Sequence, residues 1–136
     1  ARFLAAVRAH VAAGRPTYAE CAGLLVLCEQ LDGRPMVGHL PAAARMTERL
    51  ALGYREAVAP ADTVVAPEGT RVHGHEFHRT VVEPRAGRRP AWLLDGEPEG
   101  FAVGGTVASY LHLHPAGVPS LATGLVAAAT REVVPV

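Results

Sequence analysis

Lysine is absent from this chain: all 13 basic residues are arginines, matched by 13 acidic ones for a net charge of zero. Without lysine there is no G-x-x-x-x-G-K-[ST] phosphate loop. The balanced charge offers no electrostatic footprint for nucleic acid or for an anionic membrane surface. Arg85, Arg88 and Arg89 form the one local basic cluster, in a loop with Gly87 and Pro90 that reads as solvated. The use of arginine throughout, beside abundant alanine, reads as genome composition rather than function. Cysteine is nearly as scarce. Cys21 and Cys28 lie seven apart, too few for a disulfide framework, and reduced thiols fit a cytoplasmic compartment. No apolar run approaches the length of a membrane span. Arg2, Arg8 and His10 interrupt the N-terminal apolar stretch, so no signal peptide is expected in it. What is present, 136 residues of which 49% are hydrophobic, is enough for one domain with a real core.

The most informative stretch is Tyr18-Ala19-Glu20-Cys21-Ala22-Gly23-Leu24-Leu25. It reads as a short strand, a tight turn and an apolar helix, with the cysteine at the corner. There the helix N-terminus favours thiolate over thiol. Ala19, Ala22 and Gly23 are small enough to let a substrate carbonyl approach, which is the logic of a nucleophile elbow. A buried structural cysteine closing a strand is the other reading, since free cysteine is among the most buried residue types. The local pattern leaves both open.

A partner for the thiol stands 91 residues on, in Ala108-Ser109-Tyr110-Leu111-His112-Leu113-His114-Pro115. The alternation predicts a strand that places Tyr110, His112 and His114 on one face, ended by Pro115. The histidines then lie near its carboxyl end, where open α/β sheets bind ligands. A third cluster, His73-Gly74-His75-Glu76-Phe77-His78-Arg79, splits as a strand into His73, His75 and Phe77 on one face and Gly74, Glu76 and His78 on the other. That split and the missing H-E-x-x-H spacing make zinc the minor reading. Glu76 and His78 are instead candidates to orient a catalytic group or bind a polar substrate.

Coarse periodicity predicts a helix over 1–13, a strand over 16–20 and a helix over 22–31 that carries Cys28 as core packing, followed by a turn at 32–35. Strands are expected near 36–39, 52–59, 70–73, 76–83, 91–94, 101–103 and 106–113, with Trp92 as core or edge packing. A final helix over 119–131 turns Leu121, Leu125 and Val126 inward. His10 and His39 read as surface residues. The pattern is α/β.

Five motifs occur in order: Tyr18 to Leu24, Met36-Val37-Gly38, Leu52-Gly53-Tyr54-Arg55-Glu56-Ala57, Gly74-His75-Glu76-Phe77-His78 and Ala108 to His114. Together they resemble the C-terminal glutaminase domain of the cobyrinic (hydrogenobyrinic) acid a,c-diamide synthases, in the class I, triad-type glutamine amidotransferase superfamily. The resemblance runs from about residue 1 to residue 136. It implies a three-layer, flavodoxin-like α/β sheet with flanking helices, entered here without its opening strands. Cys21 then attacks the side-chain amide of L-glutamine, and His112, matching the first histidine of the family's Tyr-Leu-His motif, raises its nucleophilicity. The Ala22 N–H becomes an oxyanion donor, with Glu76, His78, His75, His114 and Tyr110 in support and no metal. Ala22 stands where the family usually has a glycine.

The resemblance further implies that ATP and Mg²⁺ are bound by a synthetase domain outside this chain, and that no cofactor is bound within it. Ammonia would pass to that domain for amidation of the a and c acetate side chains of the corrinoid in cobalamin biosynthesis. Alternatives are the glutaminase domain of the sister cobyric acid synthase, a histidine-site metallohydrolase using His73, His75, His112 and His114, and an inactive fragment.

Overall fold

The structure, a computed structural model, describes residues 2–131; position 1 of the first predicted helix lies outside them. The elements in order are α1 (Arg2–Ala12), β1 (Thr17–Glu20), α2 (Ala22–Leu27), β2 (Gln30–Leu31), β3 (Arg34–Pro35), β4 (Ala43–Val58) and β5 (Arg71–Glu83). They continue with β6 (Trp92–Leu94), β7 (Glu97–Glu99), β8 (Phe101–Val103), β9 (Thr106–Ser109) and α3 (Pro119–Arg131). One sheet has the order β1-β9-β8, with β1 and β9 parallel. A second runs β3-β2-β4-β6-β7, and β5 pairs antiparallel with β4 in a long two-stranded ribbon.

Alternation along β1 and β9 explains the layering. Ala19 and Ala108 pack into one cluster with Leu24, Leu27 and Phe101, while Tyr18 and Val107 face a second with Trp92, Leu111 and Leu121. The small sheet is therefore covered on both faces, by α1 and α2 on one side and by β6 and α3 on the other. This is the three-layer α/β arrangement expected of a class I amidotransferase. Among the described residues no helix is long and apolar enough to cross a membrane.

Several predicted boundaries move, each for a visible reason. Helix α2 stops at Leu27 rather than continuing to 31, because the 36–40 loop takes over its orphan carbonyls. Val37 N donates to Val26 O at 3.0 Å, His39 N to Leu27 O at 3.0 Å and Gly38 N to Cys28 O at 2.8 Å. For the same reason 36–39 is loop and not strand, and His39 is half-buried rather than on the surface. Cys28 is fully buried as expected, though at the helix end. The segments predicted at 70–73 and 76–83 are one strand, β5. In α3, Leu121 and Ala128 are buried while Val126 is 63% exposed, so the inward face runs through 121, 125 and 128. Trp92 is core, as expected.

Strand β9 ends at Ser109, earlier than the 106–113 prediction. Beyond it, side chains replace the ladder as hydrogen-bond partners. The Tyr110 N–H donates to Glu99 Oε1 at 2.9 Å, and the Leu111 N–H to Ser109 Oγ at 2.9 Å. The histidine-bearing segment is thus irregular backbone, and only His112 rejoins a ladder, through an isolated antiparallel bridge to His75.

Candidate active site

Strands β1 and β9 run parallel in the register Glu20↔Ser109, and the Cys21 N–H extends the ladder to Ser109 O at 2.8 Å. Both chains therefore leave the sheet side by side at its carboxyl edge. Cys21 sits in the turn with φ 49° and ψ −106°, outside the regions open to an ordinary L-residue, a strain characteristic of functional turns. The strained residue is the cysteine itself. Ala22 already belongs to α2 and needs no positive φ, so alanine serves where the family usually has glycine. A Cβ on Gly23 would lie 3.3 Å from the Ala19 Cβ, which is why small residues are needed where helix meets strand.

The thiol is half-buried and lies 3.9 Å from Phe77 O of β5. Burial raises its pKa above the ordinary thiol value; the Ala22 N–H directed at it opposes the rise, and the Glu20 carboxylate adds to it. The expectation that the helix terminus favours thiolate over thiol is therefore corrected: its amide acts in that direction but burial prevails. Helix α2 has only six residues, and desolvation outweighs its amide. The thiol needs a base.

His112 is half-buried beside β5. Its main chain exchanges two hydrogen bonds with His75, N to O at 2.9 Å and O from N at 3.1 Å. Its ring Nδ1 lies 3.1 Å from His75 O, and the two imidazoles stack with centroids 4.7 Å apart. An Nδ1–H donated to that carbonyl leaves Nε2 as the acceptor, the tautomer a general base requires. This close approach depends on Gly74: a Cβ there would fall 2.5 Å from His112 O and 2.8 Å from Leu111 Cδ1. His114, by contrast, is exposed and caps its own turn, its Nδ1 accepting from Ala116 N at 3.2 Å.

The inner face of the ribbon carries a charged group that the motifs only partly revealed. Arg55 Nε donates to Glu76 Oε2 at 2.8 Å, and His78 Nε2 lies 3.4 Å from Glu76 Oε1. Hydrogen bonding to His78, reinforced by Arg55 against the cost of burial, holds the Glu76 carboxyl down at about 2. His78 stacks on Tyr110 with centroids 3.6 Å apart. Burial pushes the Tyr110 hydroxyl up to about 12, and Thr80 Oγ1 lies 2.8 Å from it. Beside them, four residues of β4 between Met46 and Ala51 face a single residue of β5. This bulge borders a cavity of about 410 Å³ that Arg55, Glu76, His78 and Thr80 help to line.

The predicted site residues Cys21, Ala22, His75, Glu76, His78, Tyr110 and His112 thus gather where the carboxyl edge of the small sheet meets β5. His114 lies away from this contact network, and His73 pairs with Glu56 on the exposed face. Among the described residues no group of three or more His, Cys, Asp or Glu is placed to hold a metal ion. Arg55, Thr80, Glu20 and Glu99 were missed as site residues. Arg55 and Glu20 lay inside quoted motifs, whereas Glu99, in Glu97-Pro98-Glu99-Gly100, carried no signal.

A strained strand-to-helix turn at the carboxyl edge of a parallel strand pair, with helices packed against the sheet, is the fold of a class I glutamine amidotransferase. The chain belongs to the CobB/CobQ-like glutamine amidotransferase domain family, whose family model matches residues 1–118. It is 55% identical over 127 residues to the hydrogenobyrinate a,c-diamide synthase of Thermobifida fusca, covering 88% of this chain and 27% of that protein. It is 59% identical over 112 residues to the enzyme of the same name from Streptomyces coelicolor, covering 80% and 23%. The chain therefore spans about a quarter of the length of these relatives. A solved glutamine amidotransferase superposes with TM-score 0.68 at 22% identity, covering 93% of this chain and 68% of its own. Another, from Thermotoga maritima, gives 0.57 at 12%, covering 98% and 56%. At these identities the likeness is one of fold.

Proposed function

We propose that this chain is the glutamine-hydrolysing part of a corrinoid a,c-diamide synthase, with Cys21 as nucleophile and His112 as its base. The observation that carries the reading is the parallel β1–β9 pair, which brings the turn of Cys21 and the segment of His112 off one sheet edge. Nε2 of His112 takes the thiol proton as Sγ attacks Cδ of the glutamine side chain. The oxyanion forms against the Ala22 N–H. The tetrahedral intermediate collapses with loss of ammonia, which leaves carrying the proton returned by His112. Water, deprotonated by the same imidazole, then cleaves the thioester to glutamate and regenerates the thiol. Arg55 and Glu76 offer the zwitterionic α-carbon end of glutamine a cation and an anion beside the reacting groups.

Ammonia released at Cys21 serves amidation of the corrinoid acetates in a synthetase portion corresponding to the three quarters of the relatives that this chain does not span. ATP and Mg²⁺ belong with that portion. This chain offers them no lysine and no phosphate loop, nor a metal-binding cluster among its described residues, so no step here passes through them. The cytoplasm is the compartment that keeps both thiols reduced.

The test is ammonia release from L-glutamine. Cys21→Ser abolishes it, His112→Ala lowers it by at least about a hundredfold, and chelators leave it unchanged. Activity indifferent to Cys21, or lost on chelation, overturns the proposal.

A further inference from the structure

Four consecutive N–H groups around His112, in a segment that is neither helix nor strand, are each held by a partner. Tyr110 N donates to Glu99 Oε1 at 2.9 Å, and Leu111 N to Ser109 Oγ at 2.9 Å, whose hydroxyl in turn donates to Glu99 Oε2 at 2.6 Å. His112 N donates to His75 O at 2.9 Å. Leu113 N donates to Glu20 Oε1 at 2.8 Å, an oxygen that also accepts the Tyr18 hydroxyl at 2.7 Å. Irregular backbone left to itself samples many conformations. Here two carboxylates from different elements fix it, one of them fully buried.

Glu20 is the unexpected member. It is the residue immediately before the thiol, and its carboxylate holds the residue immediately after the imidazole. On the other side, the Cys21 N–H is bonded to Ser109 O at 2.8 Å. Nucleophile turn and base segment are thereby cross-tied in both directions, so neither can slide along the sheet edge without breaking a bond of the other.

We infer that Glu20 is a positioning residue that sets the spacing of Cys21 and His112, with the buried Glu99 fixing the other end of the histidine segment. The inference rests on the reading of Cys21 and His112 as a working pair. Glu20 touches neither the substrate nor the reacting sulfur; its effect passes through the Leu113 amide.

Charge and placement predict opposite signs, which makes the role testable. As a nearby anion Glu20 raises the Cys21 pKa, so loss of its charge alone would speed alkylation of the thiol. Loss of its hydrogen bond separates thiol from imidazole and slows it. The experiment follows iodoacetamide labelling of Cys21 by peptide mass spectrometry from pH 5 to 9, in wild type, H112A, E20A and E20Q. H112A is expected to lose the neutral-pH reactivity, leaving a single high titration. E20A is expected to follow it, with labelling at pH 7 down about tenfold, the worth of one charge-assisted hydrogen bond. E20Q keeps an oxygen to accept from Leu113 and Tyr18 and is expected to restore at least half the wild-type rate. If E20A does not fold, Y18F carries the test: freeing the carboxylate slows labelling about threefold, and an unchanged rate overturns the inference. An E20A profile like wild type, or E20A and E20Q both faster than wild type, overturns the positioning role while leaving the pair standing. An H112A profile identical to wild type overturns the pair, and the inference with it.

Discussion

Replacing Glu76 by glutamine separates what its charge contributes from what its shape contributes. The carboxyl is held from an ordinary 4.5 down to about 2, chiefly by hydrogen bonding to His78 and by Arg55, against the cost of burial. At about 1.4 kcal/mol per unit the full shift corresponds to about 3 kcal/mol. The Arg55 side chain is 29% exposed, so solvent screening reduces this to about 1–2 kcal/mol. Because the folded value is depressed, the contribution is fully present above pH 4.5 and disappears as pH falls through about 2. Urea unfolding followed by circular dichroism at pH 7, 4.5, 3 and 2 is the assay. Glu76→Gln is expected to be less stable than wild type by about 1–2 kcal/mol at pH 7, with the gap closing between pH 4.5 and 2. Other carboxyls titrate over the same range, but equally in both proteins. A gap that stays constant with pH, or none at pH 7, refutes the assignment of a charge-based role to Glu76.

Further outcomes follow from the same geometry. Gly74→Ala drives a methyl against His112 O and Leu111, and should cost about 2–3 kcal/mol in urea unfolding while lowering glutamine turnover. In His112→Ala, alkylation of Cys21 should rise only above the ordinary thiol range, because burial raises its pKa; a rate already flat at pH 7 would contradict the assignment. Cys28, pushed up to about 11 by burial and the neighbouring Glu29, should resist iodoacetamide in the native protein and react on denaturation. Trp92→Ala, at a fully buried core position, should lower stability by about 3–5 kcal/mol; a change below about 1 kcal/mol would mean the second cluster is not one packed core.

The parts of the site legible in sequence are those written in contiguous residues. A strand, a cysteine and small neighbours run together at 18–25, so the elbow could be read directly, and helix α3 begins where its proline indicates. The alternation at 73–78 assigned Glu76 and His78 to one face correctly. What could not be read is where long-range hydrogen bonds override local pattern. The alternation after Ser109 is genuine, yet Glu99 and the Ser109 hydroxyl capture the amides that would have extended β9. Helix α2 carries no local stop at Leu27; a loop ten residues on takes its carbonyls. The thiol's raised pKa likewise depends on burial that a helix-terminus argument does not include.

Covalent capture tests the central claim most directly. A diazoketone analogue of glutamine should add once per chain, at Cys21, with L-glutamine protecting and His112→Ala slowing the addition by at least about a hundredfold. Stoichiometric labelling at any other residue, or labelling of Cys21 at the wild-type rate in His112→Ala, would contradict a thiol activated by that imidazole.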